Sequence, residues 1–141
     1  MQNKHMGFDP RAVANGMLDA AVSKDIHVSN LSLNKLIYFA HKRALVKMKH
    51  RLVSTSFEAW QFGPVLPILY HEFKGAKDKP ITDRAKKLCR DTGERILAKW
   101  DAGDEWDVLL NDTLDFYGHF TASQLVTLSH SKGGAWDKVW N

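Results

Sequence analysis

Apolar residues recur at helical spacing over most of the chain and at a spacing of two over one short stretch, a contrast that predicts a mainly helical protein. Asp9 and Pro10 form an N-cap and first-turn pair, because Pro lacks an N–H that this position leaves unpaired anyway. Val13, Met17, Ala20, Ala21 and Val22 follow, so a first helix is predicted over 10–24. A longer stripe of Leu33, Leu36, Ile37, Ala40, Ala44, Leu45 and Met48 predicts a second helix, capped by Ser29 or Ser32. Asn34, Lys35, Lys42, Arg43 and Lys47 fall largely on its other faces. In the segment 52–62, Val53, Thr55, Phe57 and Ala59 alternate with Ser54, Ser56 and Glu58, which predicts a short strand or hairpin arm. Gly63 and Pro64 are expected to stop it. Pro67 then opens a helical turn through Leu69, Tyr70 and Phe73, with Gly75 as its C-terminal cap and a loop over 76–80.

From 82 to 100 the charges mix and the apolar positions thin to Leu88, Ile96, Leu97 and Trp100, which suggests two short helices or one broken at Gly93. Asp104 is placed to cap a helix of Trp106, Leu109, Leu110, Thr113, Leu114 and Tyr117, ended by Gly118. Thr121 and Gln124 have capping-box spacing, and Leu125, Val126 and Leu128 form the buried side of the helix they start. A turn over 131–134 and the opening of another helix over 135–141 complete the chain. The expected fold is a single, mainly α domain spanning 1–141, with six or seven helices and a strand pair or hairpin near 52–62. The helices around 33–48 and 106–117 carry the longest stripes and should be central packing partners.

Composition narrows the class. At 141 residues, 44% hydrophobic and 26% charged, the chain can bury a core without a metal or disulfide. The lone Cys89 forms no internal disulfide and suits a reducing compartment. No run reaches the roughly 18 apolar residues of a membrane span, and the start lacks an apolar signal region, so a cytoplasmic, unprocessed protein without membrane partners is expected. The net charge of +4 is unevenly spread. Lys35, Lys42, Arg43, Lys47, Lys49 and Arg51 lie in a stretch without acids, whereas Asp101, Asp104, Glu105, Asp107, Asp112 and Asp115 lie in one without Lys or Arg. Such blocks usually solvate helix faces, and these two faces could meet in the fold; the other reading is a basic surface that docks phosphates or an acidic partner.

Catalytic patterns are sparse. There is no Gly-rich phosphate loop, CxxC or HExxH, and the seven His share no ligand spacing, so no catalytic residue, metal or cofactor is assigned. Cys89, read on a helix between Lys87 and Arg90, has no identifiable His and acid partner. The pairs Asp112 with Asp115 and Asp101 with Glu105 read as surface charges. A hydrolase or nuclease built on His41, His71 and His130 would require those side chains to converge.

Aromatics and prolines are concentrated instead around the strand: Phe57, Trp60, Phe62, Tyr70 and Phe73, with Gly63, Pro64 and Pro67. Such a cluster is a core corner or a preformed binding surface, and aromatics at this spacing more often belong to a core. These residues carry a resemblance. Leu33-Asn34-Lys35-Leu36-Ile37-Tyr38-Phe39-Ala40-His41 resembles the LQKLLYFAQ-type helix of the Panacea domain, the SocA-like antitoxin family also found as phage-associated GepA-type proteins. The run from Phe57 through Trp60, Phe62, Gly63, Pro64 and Val65 to Pro67, Tyr70 and Phe73 is similar to its IEAWKYGPVxPxVYxxF block. Leu125, Leu128, Ser129, His130 and Trp136 are similar to its LSxLTHxxxxPW ending. Asn34 and His41 replace the usual Gln, Phe62 replaces Tyr, Ser129 replaces Thr, and Ala135 replaces the Pro before Trp136.

The resemblance implies a non-catalytic antitoxin. It would bind a toxin protein, usually encoded beside it, and block it; at least one type of member presents its toxin to a cytoplasmic protease. Leu33, Lys35, Leu36, Tyr38, Phe39, Ala40, Trp60, Phe62, Gly63, Pro64, Val65, Pro67, Tyr70, His130 and Trp136 would then hold the scaffold. Partner specificity is expected outside them, with Lys42, Arg43, Lys47, Lys49 and Arg51 as candidates. The alternative is a nucleic-acid-binding regulator that uses the basic stretch 35–51, although no recognition-helix turn accompanies it.

Overall fold

The computed structural model of the protein describes residues 6–130. The first helix, α1 (Pro10–Ser23), begins at Asp9, whose carboxylate accepts the Arg11 N–H at 3.0 Å. Ser29 and Ser32 together make one reciprocal cap for α2 (Asn30–Lys47): Ser32 Oγ accepts the Ser29 N–H at 2.9 Å and Ser29 Oγ accepts the Ser32 N–H at 3.3 Å. This helix is the hub, packing against α1, the helices that follow it and a strand.

From Ser32 to His41 every residue of α2 is buried, including Asn34 and Lys35, each with no exposed surface. The sequence pattern had assigned those two to outer faces. A helix enclosed on all sides has no solvent face for them, and each polar side chain instead finds a backbone partner inside.

The expected hairpin exists but sits later than the alternation suggested. Its arms are β1 (Glu58–Trp60) and β2 (Gly63–Val65), antiparallel, with Trp60 opposite Gly63. Gly63 and Pro64 therefore build the second arm instead of ending the strand. Of the alternating stretch before it, Val53 makes only an isolated parallel bridge to Phe8, with Phe8 N donating to Leu52 O at 2.8 Å and Ser54 N to Phe8 O at 2.9 Å. Next come α3 (Pro67–Glu72) and a 3-10 turn (Lys74–Ala76); Phe73, not Gly75, caps α3.

Residues 82–100 correct the sequence reading. They form no helix but a second antiparallel hairpin, β3 (Lys86–Leu88) with β4 (Arg95–Leu97), turning at Gly93 with φ +75°. All six strand residues are exposed, so no buried stripe was there to announce the period. Asn15 of α1 holds the hairpin base: its amide donates to Ala85 O at 2.9 Å and Ala98 O at 2.8 Å and accepts the Ala85 N–H at 2.7 Å.

Helix α4 (Asp104–Tyr117) is capped by Gly103 at φ +108° instead of by Asp104, which lies in the first turn with Glu105 and Asp107, where acids suit the helix dipole. The Thr121 and Gln124 capping box starts α5 (Ala122–Ser129) as expected. Among the described residues the count is thus five α-helices and one 3-10 turn. The count is below six or seven because the second hairpin occupies the segment where helices were expected and because the 131–134 turn and 135–141 helix lie outside the described residues. One apolar cluster joins α1, α2, α3, α4 and α5, and α2 packs directly on α4 as anticipated. Among the described residues no helix is long and apolar enough to cross a membrane.

Candidate functional site

Two hairpins of three-residue strands are marginal by themselves, and the first, with the segments flanking it, is held by polar side chains of α2. Asn30, Asn34 and His41, spaced four and seven apart, share a helix face. Asn30 Nδ2 donates to Tyr70 O at 2.9 Å, and Asn34 Oδ1 accepts the Leu66 N–H at 2.9 Å while its amide donates back to Asn30 O at 3.0 Å. His41 Nδ1 accepts the N–H groups of Leu52 and Val53 at 3.2 and 3.3 Å. Two donors on Nδ1 require the neutral ring with its proton on Nε2. Burial, and then the positive charge of Arg51, push the His41 pKa down to about 4. Lys35 Nζ donates to Pro64 O at 2.7 Å; no carboxylate pairs with it among the described residues, and burial lowers its pKa to about 7.

Gly63 lies at the centre of this arrangement. Its φ of +97° is open to glycine, and a Cβ there would sit 2.5 Å from Ser129 Oγ, 3.0 Å from Lys35 Cε and 3.2 Å from His130 Nε2. The helix motif, the Gly63-Pro64 arm of the first hairpin and the Ser129-His130 end of α5 thus meet at one junction. Burial and then the Lys35 charge lower the His130 pKa.

The other motif residues surround that junction unevenly. Leu33, Leu36, Tyr38, Phe39, Ala40, Pro64 and Val65 are buried, whereas Trp60, Pro67, Tyr70 and His130 are half-buried. Phe62 is 53% exposed. Trp60 packs edge-on against Tyr70 at 5.2 Å and donates from Nε1 to Glu58 at 3.0 Å. The buried Tyr38 hydroxyl has no hydrogen-bond partner among the described residues, and burial raises its pKa. Trp136 lies outside the described residues.

The basic stretch divides. Lys42, Lys47 and Lys49 are exposed and Arg43 is half-buried. Arg51 is half-buried and ties the following loop, donating to Val53 O at 3.1 Å and Thr55 O at 3.0 Å, so that with the burial of Lys35 both ends of the 35–51 block have local structural roles. The expected meeting of the acidic and basic faces also does not occur through Asp115, which pairs with Lys24 of α1 at 2.7 Å. Beside Lys42, Arg43 and Lys47 lies a groove of about 400 Å³ floored by Phe39, Val46, Tyr117 and Leu128. Leu128, expected on the buried side of its helix, is 38% exposed there. The sequence reading missed Val46 and Leu128 as surface residues; Val46 sits off the α2 stripe, and that was the available signal.

The remaining chemical candidates stay apart. Cys89 sits in the β3–β4 turn, not on a helix, and its thiol pKa is lowered by hydrogen bonds from the Thr92 side chain and the Thr92 and Asp91 backbone, with a smaller contribution from the charge of Lys87. His41 is engaged by the 52–53 backbone, His71 is exposed beside Tyr70 on α3, and His130 ends α5. Asp101, Glu105, Asp112 and Asp115 are exposed. Among the described residues no three His, Cys, Asp or Glu side chains are grouped to hold a metal ion.

A small helical frame whose central helix clamps a Trp-Gln-Phe-Gly-Pro hairpin through backbone hydrogen bonds defines the class. Residues 33–137 match the family described as Antitoxin SocA-like, Panacea domain, and the chain belongs to that antitoxin family. It is 44% identical over 133 residues to Antitoxin SocA of Caulobacter vibrioides (strain NA1000 / CB15N), an alignment covering 94% of this chain and 71% of that protein. No solved structure matches the chain.

Proposed function

We propose that the protein is a non-catalytic antitoxin that neutralises a cognate toxin, encoded by the adjacent gene, through direct protein–protein binding in the cytoplasm. The observation that carries this reading is the 44% identity to Antitoxin SocA across nearly the whole chain. The geometry is consistent with it. Asn30, Asn34, Lys35 and His41 are engaged with backbone groups that hold the hairpin and loop in place, and the exposed C-terminal part of α2 with the outer faces of α4 and α5 offers a surface for a partner.

Co-expression with the adjacent gene product should rescue growth and copurify a complex; absence of both rescue and complex overturns the proposal. We further propose delivery of the bound toxin to a cytoplasmic protease, which predicts a shorter toxin half-life when this protein is present and an unchanged one if it only blocks. The nucleic-acid reading loses support from the burial of Lys35 and the local role of Arg51. Promoter binding that is specific and survives raised salt would restore it.

A further inference from the structure

The groove between the C-terminal half of α2 and the α4–α5 corner joins an open apolar floor to a rim of cations. Its floor is apolar and open: Phe39 and Tyr117 stack on one another at 4.4 Å and 11°, while Val46 is 69% and Leu128 38% exposed beside them. Phe120, 41% exposed, continues the apolar strip along α5, where a second shallow hollow begins. An apolar strip with a charged rim is the pattern of an interaction site and not of ordinary solvated surface.

The rim has one sign. Lys42, Arg43 and Lys47 project from a little over one turn of α2, and none pairs with a carboxylate among the described residues. Lys42 rests over the Tyr38 ring at 5.4 Å. Arg43 Nε is buried with no hydrogen-bond partner among the described residues. The acidic residues of α4 do not serve the rim: Asp115 points to Lys24, and Asp107 accepts from Trp100 Nε1 at 2.7 Å.

We propose that this groove docks an acidic, amphipathic segment of the toxin, with bulky apolar side chains on Val46 and Leu128 and Asp or Glu carboxylates on Lys42, Arg43 and Lys47. The proposal rests on the antitoxin reading above and specifies its contact surface. Charge complementarity selects this occupant, because three unpaired cations border an apolar floor. Nucleic acid suits the site less well: Phe39 and Tyr117 stack on one another, so each has at most one face left for a base.

The test uses the full-length chain and the toxin co-expressed from the adjacent gene, with affinity measured by calorimetry at two salt concentrations. Val46→Asp and the double variant Lys42→Glu/Lys47→Glu should each weaken binding by about tenfold or more, and the double variant should lose the salt dependence. Lys86→Glu on the exposed β3 should bind as wild type. Charge reversal of acidic residues in the toxin segment should recover affinity for the Lys42→Glu/Lys47→Glu protein. Val46→Cys, in a Cys89→Ser background, should react quickly with a maleimide in the free protein and slowly in the complex.

Wild-type toxin affinity for groove variants that keep the wild-type circular dichroism spectrum overturns the groove and leaves the antitoxin reading standing. No binding by wild type fails the antitoxin reading itself. Protection of Val46→Cys in the free chain assigns the groove to the protein's own chain or a second copy and overturns the proposal. So would loss of duplex DNA binding in the same variants with toxin binding retained.

Discussion

Replacing Lys35 by Met should remove a specific pH dependence from the stability of the fold. Lys35 has no exposed surface, its Nζ donates to Pro64 O, and burial lowers its pKa to about 7. In the unfolded chain a lysine titrates near 10.4. Between those two values the unfolded state holds more protons than the folded one, so unfolding takes up a proton and wild-type stability rises with pH. Below about 7 both states are protonated and the effect is flat. Integrating the two titrations from pH 7 to pH 9 gives a gain of about 2 kcal/mol for this one group. Met matches the length of the side chain without the charge, at the cost of leaving Pro64 O without its donor, a pH-independent loss of about 1 kcal/mol. Urea unfolding followed by tryptophan fluorescence at pH 7, 8 and 9 should show the gap between wild type and Lys35→Met moving in wild type's favour by that amount. A gap that stays constant across the range refutes a buried, depressed lysine.

His41 gives a dependence at the acid end. With its folded pKa near 4 against about 6.5 unfolded, stability is fully present above pH 6.5 and falls by up to about 3 kcal/mol as the pH drops towards 4; His41→Gln, which keeps an acceptor for Leu52 and Val53, should flatten that loss in urea titrations. Asn15→Ala strips three hydrogen bonds from the base of the second hairpin. It should cost about 3 kcal/mol and speed hydrogen exchange at the Ala85 and Ala98 amides, whereas unchanged protection there would show that the hairpin is held otherwise. Gly63→Ala imposes a Cβ at φ +97° within 2.5 Å of Ser129 Oγ and should cost about 3 kcal/mol, read as a lowered urea midpoint. Ser129→Gly in the same chain should recover the steric part of that loss and leave the backbone strain.

Much of the fold was legible because much of it follows local rules. The Asp9-Pro10 start, the Thr121-Gln124 capping box and the apolar stripes of α1 and α4 each act within one or two helical turns. The second hairpin was not legible, because its six strand residues are all exposed and its anchor, Asn15, lies 70 residues before Ala85. The start of the first hairpin was misplaced for a related reason: the alternation over 52–57 lacks a neighbouring strand to pair with, apart from the bridge to Phe8.

At the site, the residue types were readable but their environments were not. Lys35 and Lys42 look alike in a basic stretch, yet one is enclosed beneath the Gly63-Pro64 arm of the first hairpin and the other lies at the edge of a groove. Leu128 reads as core in the sequence and lines a surface, 38% exposed.

By itself the sequence determined a mainly helical chain, the N-terminal caps of α1, α2 and α5, and three blocks sufficient to place it in the SocA-like, Panacea-domain family. Only the tertiary structure decided which polar side chains are structural and which cations are available to a partner. The physical reason is that helix periodicity and capping are local energies encoded over a few residues. Burial of an ammonium, closure of the 52–70 segment on α2 and exposure of an apolar strip depend on what distant segments cover, and that is settled only when α5 and the first hairpin close on α2.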